Sequence, residues 1–462
     1  MTEQALEAAA ASATQFLRGL ASRPVPARAG AAELAARLGG PLPEGPSDPA
    51  EVVTQLAKLA DDGLVASAGP RFFGFVVGGS LPAALAADWL TSAWDQNAGL
   101  FVLGPAAATA EDAAAGWLLE LLGLPATATT GFVTGGLGAN FSGLAAARNA
   151  VLAGAGWDVE RDGLIGAPPV EVVVGAERHV TIDIALRYLG LGSGRLRLVP
   201  ADGQGRMDPA ALGGVLAACQ GPTIVCAQAG NVNTGAFDPL AEIIPAAHEH
   251  GAWVHVDGAF GLWAAASPAR RHLVAGVAEA DSVATDAHKW LNVPYDSGIV
   301  FVTRPEAHLA AFAKSAAYFV PGREGERDPD AFTPEASRRA RGFPVWAALR
   351  SLGRSGVADL VERCCGHARR FAELLGAAEG VEVLNEVALN QVLVRFPDPG
   401  GDTDARTREV IRRVQEDGTL WLGGTTWHDL AAMRISLSNW STTDDDVDRS
   451  AAAILAAARA AG

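Results

Sequence analysis

TIVCAQAGNVNTGAFDPLAEIIPAAHEHGAWVHVDG, residues 223–258, reads as strand, turn, helix and strand in succession. TIVCAQ (223–228) and WVHVDG (253–258) are short runs apolar on both faces, and the segment at about 239–250 between them has helical length. Two such strands joined by a helix make a parallel pair covered on both sides. The alternation continues outward. EVVVG (171–175), RLRLVP (195–200), SVATD (282–286) and GIVFV (298–302) supply further strands, and 179–190 and 208–219 further helices. The expectation is an α/β domain on a mostly parallel sheet flanked by helices, in which ligands bind beyond the C-terminal ends of the strands.

Beyond this block the pattern changes. Residues 1 to about 70 are Ala-rich helices interrupted by GGPLPEGPSDPAE (39–51), with helical periodicity resuming over 51–62; they read as an N-terminal arm that packs on another surface. Segments 81–95 and 105–122 are apolar helices, each with Pro near its start, where helix N-termini favour it. After about 350 come a helix at 357–375, the runs VEVLN, NQVLVRF and MRISLS, and a helix at 444–461. The expected division is therefore an arm (1–70), a large domain (71–350) and a small α+β domain (351–462).

At 462 residues and 49% hydrophobic content the chain buries a large core, as a globular enzyme does. A net charge of −16, with no basic cluster interleaved with aromatics, argues against nucleic acid as a partner. The start, MTEQALEAAAASATQFLRGL, is acidic and amphipathic rather than basic followed by an apolar core, and no run approaches the ~20 apolar residues of a membrane span. A cytoplasmic protein without a membrane partner is expected. The four cysteines, Cys219, Cys226, Cys364 and Cys365, have no zinc-site spacing, so no metal is expected. Only three lysines, Lys58, Lys289 and Lys314, stand against 33 arginines, which makes each lysine informative.

The strand ends hold a set of residues that work together. Asp257 follows WVHV; Asp286, Ala287, His288, Lys289 and Trp290 close SVATD; TGGLGAN (134–140) runs into a helix; His179 opens another helix after EVVVGAER. Each has an ordinary reading alone: a tight turn, a helix-start histidine, a cap or ion-pair partner, a surface lysine whose stem snorkels. Together they meet the needs of pyridoxal 5'-phosphate (PLP). Its phosphate needs backbone N–H groups at a helix start, which TGGLGAN running into a helix provides. Its aldehyde needs an amine, Lys289. Its ring nitrogen needs a carboxylate, Asp257, and its ring face a flat partner, His179.

The chain resembles the PLP-dependent group II amino-acid decarboxylases, the fold type I family of aromatic-amino-acid, tyrosine, histidine and glutamate enzymes. The matching segments are RFFGF (71–75), PAAATAEDAAAGWLLELLGL (105–124), GFVTGGLGAN (131–140), AGNVNTGAFDPL (229–240), WVHVDGAFG (253–261), DAHKWLNVPYDSG (286–298), SRRARGFPVWAALRSLG (337–353) and RISLSNWSTTDDDVD (434–448). The resemblance implies a PLP-dependent transferase fold, Lys289 as the Schiff-base lysine, Asp257 as the ring-nitrogen partner, His179 stacked on the ring and Ala259 beneath it. It places Gly136, Gly138, Ala139, Asp286 and His288 near the phosphate. It also implies a homodimer whose N-terminal arm grips the partner.

Departures from the family pattern are specific. Gly230, Asn231 and Val232 replace a Gly-Thr-Thr, with Asn231 expected to reach the Asp257 carboxylate. Asp286 stands where the family often has Asn, and a carboxylate beside a phosphate repels it unless protonated or turned away. FVPGREGERDPDAFTPEA (319–336), the segment that matches the family's catalytic loop, has no tyrosine; Tyr318 just precedes it and is the candidate proton donor, alongside His179. The expected reaction is decarboxylation of a small-molecule L-amino acid, aromatic or bulky apolar if Phe72, Phe75 and Phe101 line its pocket. Arg434 is a candidate clamp for a carboxylate. Transamination, decarboxylating aldehyde synthesis and a non-catalytic binding role are the alternatives.

Overall fold

The computed structural model describes residues 2–314 and 325–461. Three helices lead the chain: α1 (Thr2–Gly19), α2 (Ala31–Leu38) and α3 (Pro49–Ala60). They contribute no buried residue to the core, and α1 packs on α3. Then come α4 (Pro82–Trp94) and α5 (Pro105–Leu122), both opening on proline as expected. The central block runs β1 (Thr129–Val133), α6 (Gly136–Gly154), α7 (Val159–Asp162), β2 (Glu171–Gly175), α8 (Val180–Tyr188), β3 (Arg197–Val199), α9 (Pro209–Ala217), β4 (Thr223–Gln228), α10 (Leu240–Glu249), β5 (Trp253–Asp257), β6 (Ser282–Asp286), β7 (Gly298–Val302) and α11 (Pro305–Phe312). The rest is α12 (Gly342–Gly376), broken at Gly353 (φ 62°), then β8 (Glu382–Val383), β9 (Gln391–Arg395), α13 (Thr403–Asp417), β10 (Gly423–Trp427), β11 (Leu430–Ser436) and α14 (Asp444–Ala460).

Seven strands form one sheet in the order β1-β7-β6-β5-β4-β2-β3, and a second sheet has the order β10-β11-β9-β8. From β3 to β6 all pairs are parallel. β7 runs antiparallel to both β6 and β1. A parallel return needs a crossover of a dozen or more residues, usually a helix. The link from β6 to β7 spans only 287–297 and carries no helix, so β7 must turn back.

β5, β6 and β7 are buried throughout, and apolar side chains pack on both faces of the sheet. Side chains alternate along a strand. On β5, Trp253 joins the cluster beside α6 and α8, whereas Val254 and Val256 join the opposite one with α10. Each fully buried Val or Leu contributes about 1.5–3 kcal/mol relative to exposure. His255 and Asp257 follow Trp253 on its face, and so lie toward α6.

Candidate active site

β1 ends at Val133, and Thr134 and Gly135 turn the chain into α6. The first backbone N–H to bond back is that of Ala139, to the Gly135 carbonyl (2.9 Å). The N–H groups of Gly136, Leu137 and Gly138 therefore precede the hydrogen-bonded ladder at the positive end of a 19-residue helix, an anion-binding arrangement. Glycine is required by close approach: a Cβ on Gly136 would lie 2.7 Å from Asp286 Oδ2, and one on Gly135 2.9 Å from the His288 ring.

Asp286 closes β6 and is 1% exposed. Its Oδ2 pairs with Lys289 Nζ at 2.9 Å, while Oδ1 has no hydrogen-bond partner and faces His288 Nε2 at 3.5 Å. Ser297 N–H donates to His288 Nδ1 (3.0 Å), which leaves the ring proton on Nε2. Burial pushes the His288 pKa down, with Asp286 opposing, so the ring stays neutral. Tyr295 stacks on it with centroids 4.4 Å apart.

Asp257, at the end of β5, accepts from Ala259 N–H at Oδ1 (3.1 Å) and from Asn140 Nδ2 at Oδ2 (3.0 Å). His179 caps α8; its Nδ1 meets Thr181 Oγ1 at 2.8 Å. Burial lowers the His179 pKa against the pull of Asp257, which leaves a neutral flat ring. Asp257, His179, Asp286, His288, Lys289 and the start of α6 line one cleft of about 420 Å³. Arg434 on β11 lines it too, half-buried, and no carboxylate pairs with it among the described residues; burial lowers its pKa.

The structure brings Lys289, Asp286, His288, Asp257, Ala259, His179, Gly136, Gly138, Phe75 and Arg434 to this cleft. Four expectations change. Ala139 is buried on the sheet-facing side of α6, with its N–H spent on Gly135. Asn231 does not reach Asp257: its Oδ1 accepts from Asn233 and Thr234 N–H and its Nδ2 donates to the Glu177 carbonyl, because a local turn competes for its side chain. Phe72 is 6% exposed and stacks on Trp421 (5.0 Å), away from the cleft. Phe101, in the turn 101–103, does not line the cleft of this chain. Tyr318 lies outside the described residues.

Phe75 and Val76 reach the cleft because their backbone is left-handed (φ 55° and 58°), a conformation that costs on the order of 1–2 kcal/mol for non-glycine residues. Sequence reading missed Asn140 and Thr181. An asparagine inside a helix is intrinsically unfavourable, and that was the available signal for Asn140.

A family model described as the pyridoxal-dependent decarboxylase conserved domain matches residues 34–396. The chain belongs to the pyridoxal-dependent decarboxylase family. It is an amino-acid carboxy-lyase whose cofactor is PLP. This decarboxylase is similar to the aromatic-L-amino-acid decarboxylase of Bacillus atrophaeus (27% identical over 439 residues, 93% of this chain and 89% of that protein). It is also similar to the L-2,4-diaminobutyrate decarboxylase of Rhizobium meliloti (29% over 377 residues, 79% and 73%). In fold it matches Oryza sativa TDC solved with PLP and tryptamine (TM-score 0.92, 24% identity, covering 99% and 98%) and mouse CSAD (TM-score 0.91, 23% identity, covering 99% and 98%).

The cleft of this decarboxylase fits PLP in donor chemistry. A glycine-built helix start with no room for a Cβ suits a phosphate, Lys289 offers an amine, and the 4%-exposed Asp257 offers a carboxylate. Asp286 is turned toward Lys289 and His288, which reduces its conflict with an anion at the helix start.

Proposed function

We propose that this enzyme decarboxylates an aromatic or bulky apolar L-amino acid to the amine, with Lys289 as the cofactor anchor, Asp257 as the ring-nitrogen partner and His179 packed on the ring. The observation that carries this reading is that Lys289, Asp257, His179 and the start of α6 line one cleft. When bound, PLP supplies an aldehyde for the lysine amine and a ring that accepts the electron pair left on Cα as carbon dioxide departs.

The residues do the rest. The start of α6 binds the phosphate, and Asp257 holds a proton at the ring nitrogen. Neutral His179 presents its face without adding charge. Arg434 orients the substrate carboxylate, while Phe75, Val76 and Val232 give the cleft its apolar side. Tyr318 is assigned, from its place in the sequence, the proton that replaces carbon dioxide on Cα. The division into an arm (1–70), a cofactor domain (71–350) and a small domain (351–462) belongs to the same proposal. So does a homodimer, supported by Trp89, Leu90 and Trp94 on α4, each more than 40% exposed in the single chain.

A second reading has a specific observation behind it: the unpaired guanidinium of Arg434 suits an acidic substrate whose side chain ends in a carboxylate. Assaying carbon dioxide and amine release across a panel of aromatic, aliphatic and acidic L-amino acids separates the two. Highest kcat/KM on an aromatic substrate is expected. Preference for aspartate or glutamate would install the second reading, and keto acid without carbon dioxide would overturn both.

A further inference from the structure

Behind the cleft, Asn140 holds a position in which every polar atom of its amide has a partner. One Nδ2 hydrogen goes to Asp257 Oδ2 (3.0 Å) and the other to Thr181 Oγ1 (3.2 Å). Its Oδ1 faces His255 Nε2 at 3.0 Å. Asparagine Oδ1 only accepts, so His255 must carry its proton on Nε2 and accept at Nδ1. Its Nδ1 lies 2.9 Å from Ser282 Oγ, which donates its hydroxyl proton there and itself accepts from Trp253 Nε1 (2.9 Å). The amide orientation follows from the network, since the flipped form would set Oδ1 against the Asp257 carboxylate.

The result is a one-way series of donors, Trp253 to Ser282 to His255 to Asn140 to Asp257, and all five residues are buried. A branch leads from Asn140 through Thr181 to His179 Nδ1 (2.8 Å). The geometry is built in by the fold. Trp253, His255 and Asp257 alternate along β5 and face α6. Ser282 stands opposite His255 across the parallel pair with β6. Gly143, one turn beyond Asn140, lets the helix lie on the histidine: a Cβ there would sit 2.7 Å from His255 Cε1 and Nδ1. Nothing in the relay bears a net charge except its last member.

We propose that Asn140 and His255 are positioning residues, which aim the Asp257 carboxylate at the cofactor ring nitrogen and fix the orientation of the His179 ring through Thr181. The inference rests on the assignment of Asp257 to that nitrogen. A hydrogen bond to a charged group contributes about 1.5–3 kcal/mol, and hydrogen bonds in series polarise one another. Losing the Asn140 donor frees the carboxylate to turn from that nitrogen, so cofactor binding weakens by up to the roughly 10- to 150-fold that one such hydrogen bond is worth. His255 acts one step further back. Its imidazole Nε2 is matched in reach by a glutamine amide, whereas phenylalanine fills the space without a donor.

The test uses holoenzyme carrying PLP labelled with 15N in its ring. Its readouts are the solid-state 15N shift of that nitrogen, the cofactor dissociation constant, and the melting temperature as a check on folding. Four variants are compared: Asp257→Ala, Asn140→Leu, His255→Gln and His255→Phe. The expected result is a protonated-nitrogen shift in the parent and in His255→Gln, and a displaced shift with weaker cofactor binding in Asn140→Leu, His255→Phe and Asp257→Ala. Equal effects of His255→Gln and His255→Phe would make position 255 a packing site and overturn the relay. So would parental shift and affinity in a folded Asn140→Leu protein; should that variant not fold, the His255 pair decides alone. If Asp257→Ala keeps the parental shift, the assignment of Asp257 fails and the relay with it. If Asp257→Ala moves the shift while Asn140→Leu and His255→Phe do not, only the relay fails.

Discussion

Acid should reveal the buried relay as a loss of stability that disappears when His255 is replaced by glutamine. Burial pushes the His255 pKa down from 6.5 to about 4, with Asp257 pulling weakly the other way. At pH 7 both folded and unfolded forms are neutral at this site. As pH falls through 6.5 the unfolded chain takes up a proton that the folded chain refuses until about 4, so protons favour unfolding. Integrating that difference from pH 7 to pH 5 gives about 2 kcal/mol. His308, pushed to about 3 by burial, and Asp238, pushed up to about 6, also titrate, but they do so in the parent and in the His255→Gln protein alike. The quantity to measure is the difference between the two pH profiles of unfolding free energy, from urea denaturation of holoenzyme at pH 7 and pH 5. For a chain of this length, with a urea slope of about 4–5 kcal/mol/M scaled up from small proteins, the parent midpoint should fall by roughly 0.4–0.5 M more than that of the variant. Parallel profiles would refute the reasoning, because they would mean that His255 charges as freely in the folded protein as in water.

Three further outcomes follow from buried charge and close contact. Arg434→Met removes a guanidinium that no carboxylate pairs with among the described residues, so it should stabilise the apoprotein by about 1–3 kcal/mol in thermal unfolding while raising KM at least tenfold for a substrate that Arg434 orients. Gly136→Ala sets a methyl 2.7 Å from Asp286 Oδ2, an atom already held by Lys289; the cofactor dissociation constant, read by spectrophotometric titration, should rise about tenfold or more. Glu111→Gln takes the ionic partner from Arg338, and both side chains are fully buried at 2.9 Å, so urea unfolding should show a loss of about 3–5 kcal/mol.

The sequence made these cleft residues readable because strand ends are local features: Asp257 and Lys289 follow short apolar runs, and scarcity of lysine left few candidates. The parallel core was equally plain. What escaped depends on side-chain direction and on register between distant segments. Phe72 and Phe75 look alike in RFFGF, yet only the left-handed backbone at Phe75 and Val76 turns one of them to the cleft. Asn140 takes the place expected of Asn231, since a turn captures Asn231 while the packing of α6 on β5 brings Asn140 to Asp257. Thr407, Val410, Ile411 and Val414 of α13 sit at helical spacing, but the dense charge around them masked the pattern. GGTTW of β10 alternates only weakly, as an edge strand does, and offered nothing to see.

The pairing of β1 with β7 has a consequence for synthesis. The glycine turn after β1 emerges from the ribosome early, but its neighbour across the sheet is Gly298–Val302, some 170 residues later, and Arg434 arrives later still. Until β7 has been made, β1 lacks the one strand partner it has among the described residues. At about 5–20 residues per second that interval lasts on the order of ten seconds or more. The nascent chain thus carries its anion-binding helix start and Asp257 before the pocket that unites them exists. The pocket lined by Lys289, Asp257, the start of α6 and Arg434 is therefore completed late in synthesis, after β7 and then β11 have been made.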